Sequence, residues 1–232
     1  MTETSAAFWR GARHSLPFTI VVIPFAILFG VVATEAGLNV LETMVFTVTV
    51  FAGASQFAAL QLMQDNAPTL IVLATALAVN LRMVMYSMTL APHFGTLPMR
   101  SRALMAYFLV DQSFALSLAE FEKNRSLTVA EKVAYFFGTV TPITAIWNVS
   151  TAVGAHLGRA VPDTWGLDFA MPITFVGMTA AMLTTLPHAV AMAVSVGVTL
   201  MLWTMPYGTG LLVGAAVGMA AGAITEAWRD RA

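Results

Sequence analysis

Two side chains of full charge fall deep inside apolar runs: Arg82 and Asp111. Arg82 lies in PTLIVLATALAVNLRMVMYSMTLAP (68–92), with Asn80 two positions before it. Asp111 lies in RALMAYFLVDQSFALSLAEF (102–121) and is followed by Gln112. A guanidinium keeps its proton under all ordinary conditions. At a bilayer centre it costs about 2.5–3.5 kcal/mol even on insertion scales. Arg82 therefore needs a partner or a wet cavity. Both residues sit near the middle of consecutive runs, expected to be antiparallel helices, and the sequence predicts that they meet as a buried ion pair. Such a pair can be a clamp that holds two helices in register. It can also line a path for substrate or protons, the default reading of an ionisable group inside a membrane.

Other polar residues are candidates for the same site. Gly53 and Ser55 flank Ala54 and precede Gln56 in the middle of an apolar run. Small residues there permit local unwinding, which exposes backbone groups to a zwitterion, or close helix packing. Asn80, Gln112 and Asn148 can bond across helices or contact a ligand. The four histidines are scattered, no HExxH spacing occurs and there is no cysteine. No metal, cofactor or thiol chemistry is expected. Ser55 has no evident histidine partner, so a hydrolase is not expected, nor any other enzyme. A net charge of −1 argues against a nucleic-acid surface.

These residues must be positioned by membrane helices. The 232 residues are 58% hydrophobic and only 10% charged, with mean hydropathy +0.79. Soluble domains carry about 25% charged residues. Eight apolar runs cover roughly 16–34, 41–63, 68–91, 103–121, 133–152, 168–185, 187–204 and 206–226. The expected fold is an all-α integral membrane protein, a polytopic helical bundle of about 7–8 transmembrane helices in a single domain over 1–232. Pro187 and Pro206 mark turns or kinks between the last three runs. The polar N-terminus reads as a short basic tail or an interfacial anchor through Trp9, Arg10 and Arg13. The six charges from Glu120 to Lys132 read as a cytoplasmic loop.

With one crossing per run and the N-terminus inside, the cytoplasmic segments hold Arg10, Arg13, Lys123, Arg125, Lys132, Arg229 and Arg231. The outer loops hold Arg100, Arg102 and Arg159. This places both termini in the cytoplasm. Arg100 and Arg102 dissent, and they fit better if the second run is re-entrant. A shift of about 118 residues sets Pro24 on Pro142, Phe51 on Phe169, Ala52 on Ala170 and Phe57 on Phe175. Repeat halves at 16–121 and 133–227 are one reading, and chance likeness in an apolar chain is the other. Under the repeat Arg82 faces no basic counterpart, because position 201 is Met.

Four segments taken in order carry a resemblance: FAGASQFAALQL (51–62), NLRMVMYSMTLAP (80–92), DQSFAL (111–116) and LDFAMPITFV (167–176). They resemble the AzlC family, the large subunit of two-component branched-chain amino-acid exporters. That family is often labelled a branched-chain amino-acid ABC transporter permease, although it looks like a secondary transporter. The resemblance implies export of valine, leucine, isoleucine and sometimes methionine across the bacterial inner membrane. It implies coupling to the proton gradient and a small membrane partner of the AzlD type. Two departures matter. The family's Asp-Glu step is here Asp111-Gln112, and its Asn-x-Arg-His motif here ends in Met83. Both remove titratable groups and leave Asp111 as the main coupling candidate. The competing function is the membrane permease subunit of an ATP-driven amino-acid transporter. The chain has no P-loop, and its short cytoplasmic loops leave little surface for an ATPase.

Overall fold

In the computed structural model, residues 2–158, 183 and 185–229 are described, apart from the Tyr207 side chain. Every element among them is helical. The long apolar runs explain this: in hydrocarbon a backbone must satisfy its own hydrogen bonds. The helices are α1 (Glu3–Ser15), α2 (Thr19–Glu35), α3 (Val40–Thr49), α4 (Gly53–Gln64), α5 (Thr69–Phe94), α6 (Met99–Tyr107), α7 (Asp111–Lys123), α8 (Val129–Leu157), α9 (Leu186–Met201) and α10 (Thr209–Arg229). Among the described residues, three segments are long and apolar enough to cross a membrane: Glu3–Glu35, Thr69–Phe94 and Thr209–Arg229. The run at 168–185, the segment LDFAMPITFV and repeat partners Phe169, Ala170 and Phe175 lie almost wholly or wholly outside the described residues.

The chain forms two compact units, Met1–Gln56 with Val79–Pro162, and Phe57–Ala78 with Asp163–Ala232. In the second unit, α9 and α10 pack as an antiparallel pair. Gly210, Gly214, Gly218 and Gly222 recur every fourth residue on the buried face of α10. A Cβ on Gly218 would sit 2.7 Å from the Ala191 carbonyl oxygen. Without that Cβ the two backbones approach closely, which is how helices associate when surrounded by lipid. Pro206 opens a 3-10 turn between these helices and does not kink a continuous one.

The first unit holds all the site candidates. Its N-terminus is not a loose tail: α1 is a 13-residue helix that a 3-10 turn joins to α2. Together α1 and α2 lie along α8. Gly11 abuts Tyr135, Gly138 abuts Phe8, Gly154 abuts Ile27, and Gly30 abuts Thr151. From residues 8–11 to residues 27–30 the contacts on α8 advance from 135–138 to 151–154, so the packing is parallel. Thr128 caps α8: its hydroxyl accepts from the Glu131 N–H, while the Glu131 carboxylate accepts from the Thr128 N–H and hydroxyl. Those bonds, the hydroxyl's first, hold the Glu131 carboxyl below the ordinary carboxylate range.

Among the described residues, two of the runs are not single helices. The second breaks at Val50–Ala52 and the fourth at Phe108–Val110. The fourth forms a helical hairpin. Its α6 arm starts four residues after α5 ends. Its α7 arm starts where Asp111 meets Arg82 and Tyr86, and ends where Phe121 meets Phe94 at 5.6 Å. Thus α7 runs parallel to α5, whereas the sequence suggested an antiparallel pair, because α6 has already reversed the chain. The second run also doubles back. Phe46 packs on Phe29 as α3 descends along α2, Gly53 reaches Phe25 and Trp147, and Gln56 returns to the level of Thr47. The two breaks touch. Phe51 stacks on Tyr107 and packs edge-on against Phe108, while the Tyr107 hydroxyl donates to the Val48 carbonyl.

The charged stretch 120–132 is also mostly helix. Glu120 belongs to α7, is only 6% exposed and lies 3.0 Å from Arg10 Nε. That N–H is not aimed at the oxygen, so the contact is a charge pair without a linear hydrogen bond. Glu120 also accepts from Asn124 Nδ2 at 2.8 Å. Sequence reading placed it in solvent because its helical partners lie far away in the chain.

Candidate functional site: a charged helix tip inside the bundle

Asp111 is the first residue of α7, not the middle of a spanning helix. The positive end of the α7 dipole therefore falls on its carboxylate. Arg82 Nη1 lies 3.2 Å from Asp111 Oδ2, and the Tyr86 hydroxyl donates to Asp111 Oδ1 at 2.9 Å. Arg82 and Tyr86 are four residues apart on α5 and so share one face. The Tyr86 ring stacks on Phe114 with centroids 4.1 Å apart and planes 8° from parallel. That stack fixes the register of α5 against α7 and holds the phenol in place. Val110, at the N-cap of α7, has no side-chain acceptor, so it cannot cap the first-turn N–H groups as Asn or Ser would.

The pair is not sealed. The Asp111 side chain is 35% exposed and that of Arg82 20%. Arg82 Nε is buried with no hydrogen-bond partner, as is Asn80 Oδ1. A guanidinium with a free donor, a carboxylate with free lone pairs and an uncapped helix start together offer complementary contacts to a small zwitterion.

A second polar cluster lies at the other tip. Thr47 Oγ1 accepts from Gln56 Nε2 at 3.0 Å and from Trp147 Nε1 at 2.7 Å. Gln56 and Thr47 are wholly buried. Gln56 Oε1 has no partner. Exchanging the amide oxygen and nitrogen moves the open position without filling it, so one end of Gln56 is unpaired either way. Gly53 begins α4 against aromatic rings: a Cβ there would come within 2.8 Å of both Phe25 Cε1 and Trp147 Cη2. Ser55 is fully buried.

The candidates therefore separate. Arg82 and Asp111 meet, with Tyr86 as a third member. Gln56 bonds Thr47 and Trp147. Asn148 donates back to the Thr144 carbonyl at 2.8 Å, and its Oδ1 is unpaired. Gln112 follows Asp111 on α7 and is half-buried. Tyr86 was legible as the i+4 neighbour of Arg82. Thr47 and Trp147 carried no signal, being ordinary residues 100 positions apart. Among the described residues, no group of three or more His, Asp or Glu can hold a metal.

Comparison with known proteins points to one family. A family model described as "AzlC protein" matches residues 17–161. The chain is 29% identical over 177 residues to "Inner membrane protein YgaZ" of Escherichia coli, covering 74% of this chain and 71% of that one. It is 32% identical over 157 residues to an "Uncharacterized membrane protein" of Archaeoglobus fulgidus, covering 68% and 65%. It is 24% identical over 174 residues to "Branched-chain amino acid transport protein AzlC" of Bacillus subtilis, covering 72% and 66%. No solved structure matches the chain.

Proposed function

The chain belongs to the AzlC family of membrane transport proteins, and we propose from this that it exports branched-chain amino acids across the bacterial inner membrane. Valine, leucine and isoleucine are the substrates, with methionine as a further one. Proton flow drives export, and a small AzlD-type subunit completes the transporter. The Asp111–Arg82–Tyr86 cluster carries the reading. From Arg82 to Phe94 is twelve residues, about 18 Å of helix, against about 15 Å for half the hydrocarbon core. The cluster then lies near the midplane, where transporters built from broken helices hold their substrates.

Arg82 and the N-terminus of α7 supply the positive field for the substrate carboxylate. Asp111 takes the coupling proton or the α-ammonium. Gly53, Ser55 and Gln56 shape the opposite tip, while Asn80, Gln112 and Asn148 add polar contacts. The two broken runs dip in from opposite faces and return, so they do not cross. One face of the first unit then gathers Arg10, Arg13, Arg100, Arg102, Lys123, Arg125 and Lys132. The opposite connection of the same unit, 36–39, has no Lys or Arg. Arg100 and Arg102 no longer dissent, and the basic face is cytoplasmic.

The test is efflux of radiolabelled valine from cells expressing this chain with its small partner. Asp111→Asn is expected to abolish efflux while the protein stays in the membrane at normal abundance. Wild-type efflux in that variant would remove Asp111 from the mechanism. Collapse of efflux with a protonophore, while ATP is held constant, separates proton-driven export from the ATP-driven alternative.

A further inference from the structure

A cleft of about 300 Å³ opens in the first unit between α5 and α6. Ser87, Ala91 and Phe94 line one wall, and Arg102, Ala106 and Leu109 the other. This volume is at the small end for ligand sites, which run to about 1,000 Å³. The lining is apolar apart from the Ser87 hydroxyl and the Arg102 guanidinium. The cleft follows α6 inward from Arg102 to Leu109, seven residues or about 10 Å. Its inner end is two residues from Asp111, and Ser87 adjoins Tyr86, which holds Asp111. Its outer end lies on the face that gathers seven Lys and Arg residues. The cleft thus runs from the basic face toward the charged tip and ends short of Arg82, Tyr86 and Asp111, which do not line it.

We propose that this cleft is the cytoplasmic intake vestibule, which captures a small apolar amino acid with its carboxylate on Arg102. The proposal rests on the exporter reading above and assigns a second, outer binding position along the same route. Charge and lining both suit this occupant. A single exposed cation at the mouth attracts a monocarboxylate, and alanine-lined apolar walls accept a branched aliphatic side chain without bonding to polar ones. Arg102 lies outside the Arg82–Asp111 pair and supplies capture, whereas the inner pair supplies coupling.

The absence of cysteine permits a direct test. Ala106→Cys places one thiol in the cleft with little added volume. In inside-out vesicles that contain the chain and its small partner, a membrane-impermeant maleimide is expected to label this thiol, and leucine to slow the labelling. Adding Arg102→Gln is expected to raise the leucine concentration for half-protection at least about tenfold, the loss of one charge-assisted bond, and Arg102→Lys to raise it less. Leucine methyl ester, which lacks the carboxylate anion, is expected to protect poorly in either background.

Labelling that leucine does not slow, or equal protection with and without Arg102, would overturn the vestibule. So would protection that follows the anionic phospholipid content of the vesicles, which would make the cleft a lipid site. Leucine transport by the same vesicles keeps the two readings apart. Transport lost in Asp111→Asn with Ala106 unprotected sinks the vestibule alone. Wild-type vesicles that move no leucine, valine or isoleucine sink the exporter reading and the vestibule with it.

Discussion

The hairpins α3–α4 and α6–α7 use one backbone device for two kinds of chemistry. Each breaks an apolar run after about ten residues of helix, and each presents a fresh helix start at its tip. The α3–α4 tip is neutral and close-fitting: Thr47, Gln56 and Trp147 bond one another in full burial, and Gly53 lies under aromatic rings. The α6–α7 tip is charged and partly open, with Arg82, Tyr86 and Asp111 around an uncapped helix. A neutral polar cluster can be buried at the cost of its unpaired groups alone. A charged pair needs water, substrate or a second ion nearby to offset its desolvation. Under the proposed function, packing falls to the neutral tip and transport chemistry to the charged one.

The largest effect should come from breaking the charge pair on one side. Arg82→Leu leaves Asp111 without its cation, and because the pair is only partly buried a loss of about 1–3 kcal/mol is expected. Yield and thermal stability in detergent should both fall. The double variant Arg82→Leu with Asp111→Leu should recover most of that stability yet move no substrate. Recovery of transport in the double variant would make the pair a clamp only, and the contrast between the tips would disappear.

At the neutral tip, Gly53→Val forces a side chain into Phe25 and Trp147. The expected cost is about 1–3 kcal/mol of overpacking, with transport per folded molecule little changed. Thr47→Val keeps the shape and removes the acceptor shared by Gln56 and Trp147. About 1–2 kcal/mol is expected, because interhelical bonds in membranes are modest. A shift in substrate half-saturation in either variant would show that substrate reaches this tip. The smallest effect is expected for Tyr86→Phe, which keeps the stack on Phe114 and removes one bond to Asp111, worth about 1 kcal/mol. Transport should persist with an altered pH profile, and an unchanged profile would confine Tyr86 to packing.

The membrane class, the helical content and the singling out of Arg82 and Asp111 as deep charges follow from the chain alone. Hydrocarbon leaves a backbone few choices, and an intramembrane charge stands out against apolar neighbours. Their contact was legible too, but for a reason the tertiary structure replaces. Sequence reading took equal depth on two antiparallel spans. The fold delivers Asp111 at the tip of a helical hairpin, on an arm that runs parallel to α5.

The break at Val50–Ala52 was legible in part, through the small residues Gly53–Ser55 and the dissent of Arg100 and Arg102, whereas no proline or charge run marks the one at Phe108–Val110. What breaks a helix there is tertiary: neighbouring backbone and rings, such as Tyr107 on Val48, take over the freed groups. The same holds for Glu120, read as a solvated loop residue and found buried beside Arg10. Hydropathy reports how much of a segment prefers lipid and is blind to direction along the bilayer normal. A run of twenty apolar residues can cross once or descend and return. Packing against α2, α5 and α8 decides which, and with it which residues meet at the tips.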